Sequence, residues 1–161
     1  MNGDTAILAS DIVRILTGKG MTISFAESLT GGMISSEIVS VSGASACFEG
    51  SVVSYSNDIK IKLLNVSEDV IRNFGAVSEL CAKQMASGVR RLTGTDIAVS
   101  ATGIAGPSGG SDSKPVGTVY IGLSCEDKCF ADHFIFEGDR ESVREQTVIE
   151  AYRMVLGLIN E

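Results

Sequence analysis

Short β-type runs separated by segments with helical periodicity are the feature of this sequence that most restricts its fold. Leu8, Ile12 and Leu16 recur at helical spacing, and the β-type run MTISFAE (21–27) follows them. The pattern continues to the C-terminus and predicts the order α-β-α-β-α-α-β-β-β-α. Strands that first alternate with helices and then form a hairpin predict an α/β fold. We expect a three-layer α/β/α sandwich with a mixed, mostly parallel sheet of about five strands.

Length and charge limit the number of domains and the class of ligand. A chain of 161 residues can bury one sizeable core, so we expect a single domain over residues 1–161. The net charge of −7 and the scattered basic residues argue against nucleic acid, while a small anionic ligand stays compatible with them. The N-terminus has no basic residue before its apolar run, and no segment approaches the roughly 18 to 20 apolar residues that span a bilayer. These features predict a cytoplasmic protein that does not bind membranes.

The cysteines predict free thiols and no metal site. They are irregularly spaced and lack a secretory leader before them, which is typical of reduced cysteines. Two of them flank the turn-like EDK and could face each other across a hairpin, although a pair of thiols without a nearby histidine is a poor zinc site. The four residues are Cys47, Cys81, Cys125 and Cys129.

A Ser-His-Asp triad is hard to build because the chain has a single histidine. His133 lies within the β-type run CFADHFIF, where it alternates with Cys129, Ala131 and Ile135 on one face, and we expect it to be structural. The remaining bases for a serine nucleophile are lysine, tyrosine or a carboxylate, and Ser-Lys pairs are a known variant of the same chemistry.

The segment SGASACFEGSVVSYSNDIK (42–60) supplies both members of such a pair. Ser45 precedes a strand and Lys60 follows it, so the two can meet only if the strand is short and bent or if a neighbouring chain completes the site. Structural roles stay open for these residues: a loop hydroxyl for Ser45, a solvated helix position for Lys60 and strand packing for Tyr55.

Two helix starts and one loop could hold an anion. Arg140 stands in the first turn of the last helix, and SLTGG (28–32) opens another helix with two hydroxyls and two glycines. The connection GIAGPSGGSDSKPVG (103–117) is longer than a routine turn, and loops of this kind in compact domains are usually functional or disordered.

Six ordered motifs together resemble the CinA C-terminal domain family over nearly the whole chain. Small departures occur at Leu29, where many members have Cys, and at Ala44, where many have Ser. The motifs are ESLTGG (27–32), YSN followed by Lys60, GAVS (75–78), TGIAGPSGG (102–110), KPVGT (114–118) and GDR (138–140).

The resemblance implies hydrolysis of the carboxamide of nicotinamide mononucleotide to nicotinate mononucleotide and ammonia, without metal or cofactor. Its nucleophile matches Ser45 and its general base matches Lys60, whose pKa must be lowered by burial or by a nearby cation to act at neutral pH. Ser28 and Tyr55 would orient the lysine or shuttle protons. The expected substrate-binding residues are Thr30, Gly31, Thr102, Gly103, Lys114 and Arg140.

Other interpretations remain beside this one. The family is commonly oligomeric, which implies a homo-oligomer, with a dimer favoured. A non-catalytic nucleotide-binding or regulatory module would keep the same pocket without turnover. An interaction partner in DNA uptake or damage responses is a third alternative, against which the acidic charge argues.

Overall fold

The computed structural model describes residues 3–161, and its elements follow the order that the sequence predicts, except that three helices rather than two separate the second strand from the third. A short 3₁₀ helix, Ala44–Ala46, precedes the second strand. The elements are α1 Gly3–Lys19, β1 Ile23–Glu27, α2 Met33–Val39, β2 Phe48–Val53, α3 Asn57–Leu64, α4 Glu68–Phe74, α5 Glu79–Thr93, β3 Ile97–Gly103, β4 Thr118–Ser124, β5 Cys129–Ile135 and α6 Arg140–Ile159.

The strands form one mixed sheet in the order β2-β1-β3-β4-β5. β1 pairs in parallel with both β2 and β3, whereas β4 is antiparallel to β3 and to β5. β5 therefore points in the same direction as β1, β2 and β3, and β4 alone among the described strands runs against them. The expected fold class, a three-layer sandwich with a mixed and mostly parallel sheet, is confirmed.

Each face of the sheet is covered by its own helices. Phe25 and its neighbours on that face pack with Ile12 of α1 and Tyr152 of α6, and all three side chains are fully buried. Ala26, the next residue of β1, points to the opposite face and packs with Met85 of α5. Successive residues of a strand point to opposite sides, so one β-strand contributes to both clusters. The core therefore lies in two layers on either side of the sheet.

Side-chain caps define the starts of the longer helices. The hydroxyl of Ser78 accepts a hydrogen bond from the amide of Cys81 at the start of α5, and Gly94 ends this helix in a left-handed conformation. Asp139 caps α6 in the same way by accepting from the amide of Ser142. These caps confirm the helix boundaries that the sequence predicts.

The parallel strands β1, β2 and β3 all end at the same edge of the sheet. Ser28 directly follows β1, and its amide donates to the carbonyl of Ala101 in β3 at 2.9 Å. Ser54 directly follows β2 and donates its amide to the carbonyl of Glu27 at 2.8 Å. This edge, which also carries the start of the loop 103–117, is where open α/β sheets bind their ligands.

The cysteines are free, as predicted, but Cys125 and Cys129 do not face each other. Cys125 packs against the α6 side of the sheet, whereas the sulfur of Cys129 lies 3.2 Å from the hydroxyl of Ser87 on α5. The expected approach across the hairpin is therefore wrong. Within residues 3–161, no group of three or more His, Cys, Asp or Glu side chains could hold a metal ion. In the same range, no helix has the length and apolar character needed to cross a membrane.

Gly88 is required by the packing of α5 against α3. A Cβ at this position would overlap the carbonyl oxygen of Leu64 at the end of α3. We expect Gly88→Ala to lower the free energy of unfolding by about 3 kcal/mol because backbone, rather than a flexible side chain, blocks the added methyl group. Gly157→Ala is the matched control, because α6 has open space at that position. Urea unfolding measures both variants, and equal stability of Gly88→Ala and wild type would contradict this packing.

Candidate functional site

The structure brings Ser28 and Lys60 together at the carboxyl edge of the sheet. The Nζ atom of Lys60 lies 3.0 Å from the Oγ atom of Ser28. It also lies 2.7 Å from the carbonyl oxygen of Ser54 and 3.5 Å from that of Tyr55. Lys60 is 1% exposed, whereas Ser28 keeps 8% exposure and lines a pocket. A serine that a ligand can reach thus lies directly beside a buried amine.

The chain between β2 and α3 accounts for the position of Lys60. Residues after the strand stay extended to Ser56, whose hydroxyl accepts from the amide of Ile59 and starts α3. Lys60 follows in the first turn and points back under the strand end, toward the carbonyls of Ser54 and Tyr55. A protonated amine has three N–H donors for these two carbonyls and Ser28. A neutral amine has two, and its lone pair is then available to accept the proton of Ser28.

Burial lowers the pKa of Lys60 from its ordinary value. The thiol of Cys81 acts in the opposite direction and is the smaller effect. Within the described chain, no carboxylate forms an ion pair with Lys60. From the sequence, either burial or a neighbouring cation could lower this pKa. In the structure, burial lowers it. An uncharged amine next to a hydroxyl is the arrangement that a Ser-Lys pair requires.

Ser45 does not approach Lys60 within the chain, so the predicted pair would require a neighbouring chain. It lies exposed in the 3₁₀ helix before β2, at the end of the sheet where β1 begins. There the amide of Ile23 donates to the carbonyl of Cys47 at 2.8 Å. Lys60 lies at the other end, beyond the six residues of β2, a strand of roughly 17 Å. Ser28 is therefore the hydroxyl that the fold delivers to the lysine.

Arg140 and Tyr55 form one wall of the pocket. One guanidinium NH₂ group donates to the hydroxyl of Tyr55 at 3.0 Å, and the other donates to the carbonyl of Gly106 at 2.9 Å. Tyr55 thus bonds Arg140 through its hydroxyl and Lys60 only through its carbonyl. The pocket encloses about 260 Å³. Its lining residues are Ser28, Leu29, Tyr55, Gly103, Ile104, Ala105, Gly106, Ser108, Gly109 and Arg140.

The start of the loop 103–117 lines the same pocket. Gly103 has no room for a side chain, because a Cβ would lie 2.7 Å from the carbonyl oxygen of Thr118. Among the described residues, no hydrogen-bond partner is present for the amides of Ala105, Gly106, Ser108 and Gly109. Unpaired amides in a glycine-rich turn can bind an anion. The pocket therefore combines free backbone donors with the cation of Arg140.

The two helix starts proposed for anion binding are already occupied by carboxylates of the protein itself. Glu27 is fully buried and accepts hydrogen bonds from the amides of Gly32, Ile34 and Ser35 at the start of α2. Asp139 accepts from the amide of Ser142 at the start of α6. Each carboxylate satisfies the donors that an external anion would use. The amides at the start of α2 are therefore not available to an external anion, and at α6 the side chain of Arg140 is what remains.

Four of the expected substrate-binding residues do not line the pocket. Thr102 donates its hydroxyl to the carbonyl of Ala76, and the amine of Lys114 donates to the carbonyl of Phe74 at the end of α4. Thr30 is fully buried, and Gly31 forms a turn with positive φ. These residues support the surrounding structure, whereas Gly103 and Arg140 line the pocket as expected.

His133 has the structural setting that the sequence predicts. It lies on the edge strand β5, three strand positions from β1, and its ring stacks on Tyr120 at 4.5 Å between ring centroids. This placement keeps it away from Ser28.

Two residues of the site have no role assigned to them from the sequence. Glu27 fixes α2 to the end of β1, and Arg144 donates to the carbonyls of Leu29 and Thr30. The sequence could have indicated the role of Glu27, because it precedes the glycine pair at a predicted helix start and a carboxylate there commonly caps the helix. Arg144 had no local signal, since its partners lie more than one hundred residues earlier.

The fold and site define a three-layer α/β/α domain in which a serine lines a pocket beyond the strand ends and contacts a buried lysine. The family model described as the CinA C-terminal domain matches residues 5–159. The chain belongs to this family.

Relatives and solved structures agree with this assignment. A CinA-like protein of Dictyoglomus turgidum is 46% identical over 98% of the chain and 38% of its own length. A CinA-like protein of Thermotoga maritima is 49% identical over 87% of the chain and 34% of its own length. The chain thus spans less than two fifths of these relatives.

The crystal structure of the competence/damage inducible protein CihA from Agrobacterium tumefaciens is similar, with a TM-score of 0.96 and 36% identity, covering 100% of this chain and 98% of that one. A CinA superfamily protein of Escherichia coli has a TM-score of 0.93 and 29% identity, covering 98% and 92%.

The lowered pKa of Lys60 makes stability depend on pH. Between the folded-state pKa and the ordinary value of 10.5, the unfolded chain binds a proton that the folded protein does not. Folding is therefore favoured as pH rises through this window, by at most about 1.4 kcal/mol per pH unit. We expect the free energy of unfolding of wild type, relative to Lys60→Met, to increase between about pH 7 and about pH 10.

Urea unfolding at several pH values measures this difference, and Lys62→Met controls for the loss of a lysine from the same helix. A wild-type stability that falls relative to Lys60→Met over this range would contradict a lowered pKa.

Proposed function

We propose that the pocket hydrolyses the carboxamide of nicotinamide mononucleotide to nicotinate mononucleotide and ammonia. The observation that carries the proposal is the 3.0 Å contact between the buried amine of Lys60 and the hydroxyl of Ser28. A lysine of lowered pKa beside a reachable serine is the arrangement used for nucleophilic attack on amides. The family resemblance supports the choice of substrate.

The first half of the reaction forms an acyl-enzyme. Neutral Lys60 takes the proton from Ser28 while the serine oxygen bonds to the carboxamide carbon. The tetrahedral intermediate then collapses, the C–N bond breaks, and protonated Lys60 gives the proton to the departing nitrogen. Ammonia leaves, and the nicotinoyl group is held as an ester on Ser28.

The second half returns the enzyme to its starting state. Neutral Lys60 takes a proton from a water molecule, whose oxygen attacks the ester carbon. Collapse of this intermediate breaks the bond to Ser28, and Lys60 returns the proton to the serine oxygen. The product is a carboxylate, and its proton passes to the solvent. A single lysine serves as base and acid in both halves.

The walls of the pocket suit a nucleotide with one phosphate. Arg140 is exposed and donates to the carbonyl of Gly106, and the loop from Ala105 to Gly109, which carries the unpaired amides, lines the same pocket. We assign the phosphate to Arg140 and these amides. Tyr55 is 62% exposed and offers an aromatic face for the pyridine ring. We do not assign the phosphate to Lys114, because its amine donates to the carbonyl of Phe74 at the end of α4.

The proposed nucleophile is tested by comparing two serines. Ser28→Ala is expected to lower kcat for ammonia release from nicotinamide mononucleotide by at least about 10³-fold. Ser45→Ala is expected to stay within about twofold of wild type, because its side chain is exposed at the other end of the sheet. Lys60→Met is expected to lower kcat by a similar factor to Ser28→Ala. Full activity of Ser28→Ala together with loss in Ser45→Ala would reverse the assignment.

Calorimetry separates catalysis from simple binding. If properly folded wild type binds nicotinamide mononucleotide and returns it unchanged, the chain is a nucleotide-binding or regulatory module and the proposal fails. Production of nicotinate mononucleotide and ammonia in equal amounts supports the enzyme.

A further inference from the structure

The turn that carries Ser28, residues 28–31, is held by several hydrogen bonds, but two of its amides and the Thr30 hydroxyl have no partner in the described chain. The amide of Ser28 donates to Ala101, and the amide of Gly31 donates to the carbonyl of Ser28 at 3.1 Å. Within the described chain, the amides of Leu29 and Thr30 form no hydrogen bond. Unpaired amides next to a nucleophile are what an oxyanion hole requires.

Leu29 combines a buried side chain with a place in the wall of the pocket. Its side chain is 4% exposed and belongs to the hydrophobic cluster on the α6 side of the sheet. The residue nevertheless lines the pocket beside Ser28. With the side chain committed to the core, the group that Leu29 can offer to a ligand is its amide.

Arg144 clamps the outer side of this turn. Its Nε atom donates to the carbonyl of Leu29 at 3.0 Å, and one NH₂ group donates to the carbonyl of Thr30 at 2.8 Å. Arg144 lies one turn after Arg140 on α6, but it does not line the pocket. No ion pair of the described residues includes it. Its charge is therefore directed at two successive carbonyls of the backbone.

We propose that Arg144 is a positioning residue, which holds the turn 28–31 so that the amide of Leu29 stabilises the oxyanion formed on attack by Ser28. This inference rests on the proposed function. A fork of two charge-assisted hydrogen bonds fixes both the position and the orientation of adjacent peptide groups. Without the side chain of Arg144, the peptide groups of the turn are free to rotate their carbonyls toward the pocket. The amide of Leu29 then no longer faces the oxyanion when its negative charge develops.

Acylation of Ser28 by an activated ester, p-nitrophenyl acetate, tests the inference without the nucleotide. The rate and the modified residue are measured by release of nitrophenolate and by mass spectrometry. Arg144→Met is expected to lower the acylation rate about 10- to 100-fold, part of the loss seen when one oxyanion donor is removed. Added guanidinium should restore part of the rate. Arg153→Met, on the same helix and paired only with Glu150 at the surface, should react like wild type.

Steady-state kinetics with nicotinamide mononucleotide separate positioning from substrate binding. The expected change in Arg144→Met is a lower kcat at a KM within about twofold of wild type, because the interaction strengthens only in the transition state. Arg144→Lys, which keeps the charge without the fork, should fall between Arg144→Met and wild type, and it keeps the test valid if the Met variant does not fold.

Three results would overturn the inference: acylation of Arg144→Met at the wild-type rate, a loss confined to KM, or no acylation of Ser28 in wild type. A different result separates the two proposals. If the protein leaves nicotinamide mononucleotide unchanged but its acylation by the ester still depends on Arg144, the proposed substrate is rejected and the positioning role of Arg144 is kept.

Discussion

A buried lysine amine with no carboxylate beside it is the constraint on which the site depends. Transferring Lys60 from water disfavours its charge, so its pKa falls. The cost is limited by two backbone carbonyls and one hydroxyl that surround the amine. These carbonyls come from the end of β2, and the hydroxyl comes from the end of β1. The parallel pairing of β1 with β2 therefore creates the chemical environment of the lysine.

Two carboxylates of the protein limit where an anionic ligand can bind. Glu27 and Asp139 satisfy the amides at the starts of α2 and α6, so neither helix start remains available to an external anion. Unpaired donors persist instead in the loop after β3 and in the turn that carries Ser28. The proposed anion site is thereby separated from these helix ends and lies in one pocket, where Arg140 supplies the positive charge.

Much of the fold was predictable because its signals are local. Ser78 and Asp139 mark helix starts through bonds to residues three positions later, and short β-type runs mark the strands. The site was harder to predict from the sequence because it depends on which strands become neighbours in the sheet. Ser45 and Lys60 are close in sequence yet are separated by a full strand, whereas Ser28 is thirty-two residues from Lys60 and touches it. The fork of Arg144 on the Ser28 turn depends on the same tertiary arrangement.

The central claim is that Lys60 is uncharged over a range of pH in which an ordinary lysine is protonated. Side-chain ¹⁵N NMR of the wild type, with Lys60→Met used for assignment, measures its titration directly. The account predicts a midpoint below the ordinary lysine value of 10.5. A midpoint at or above that value would leave Ser28 without a base and contradict the account.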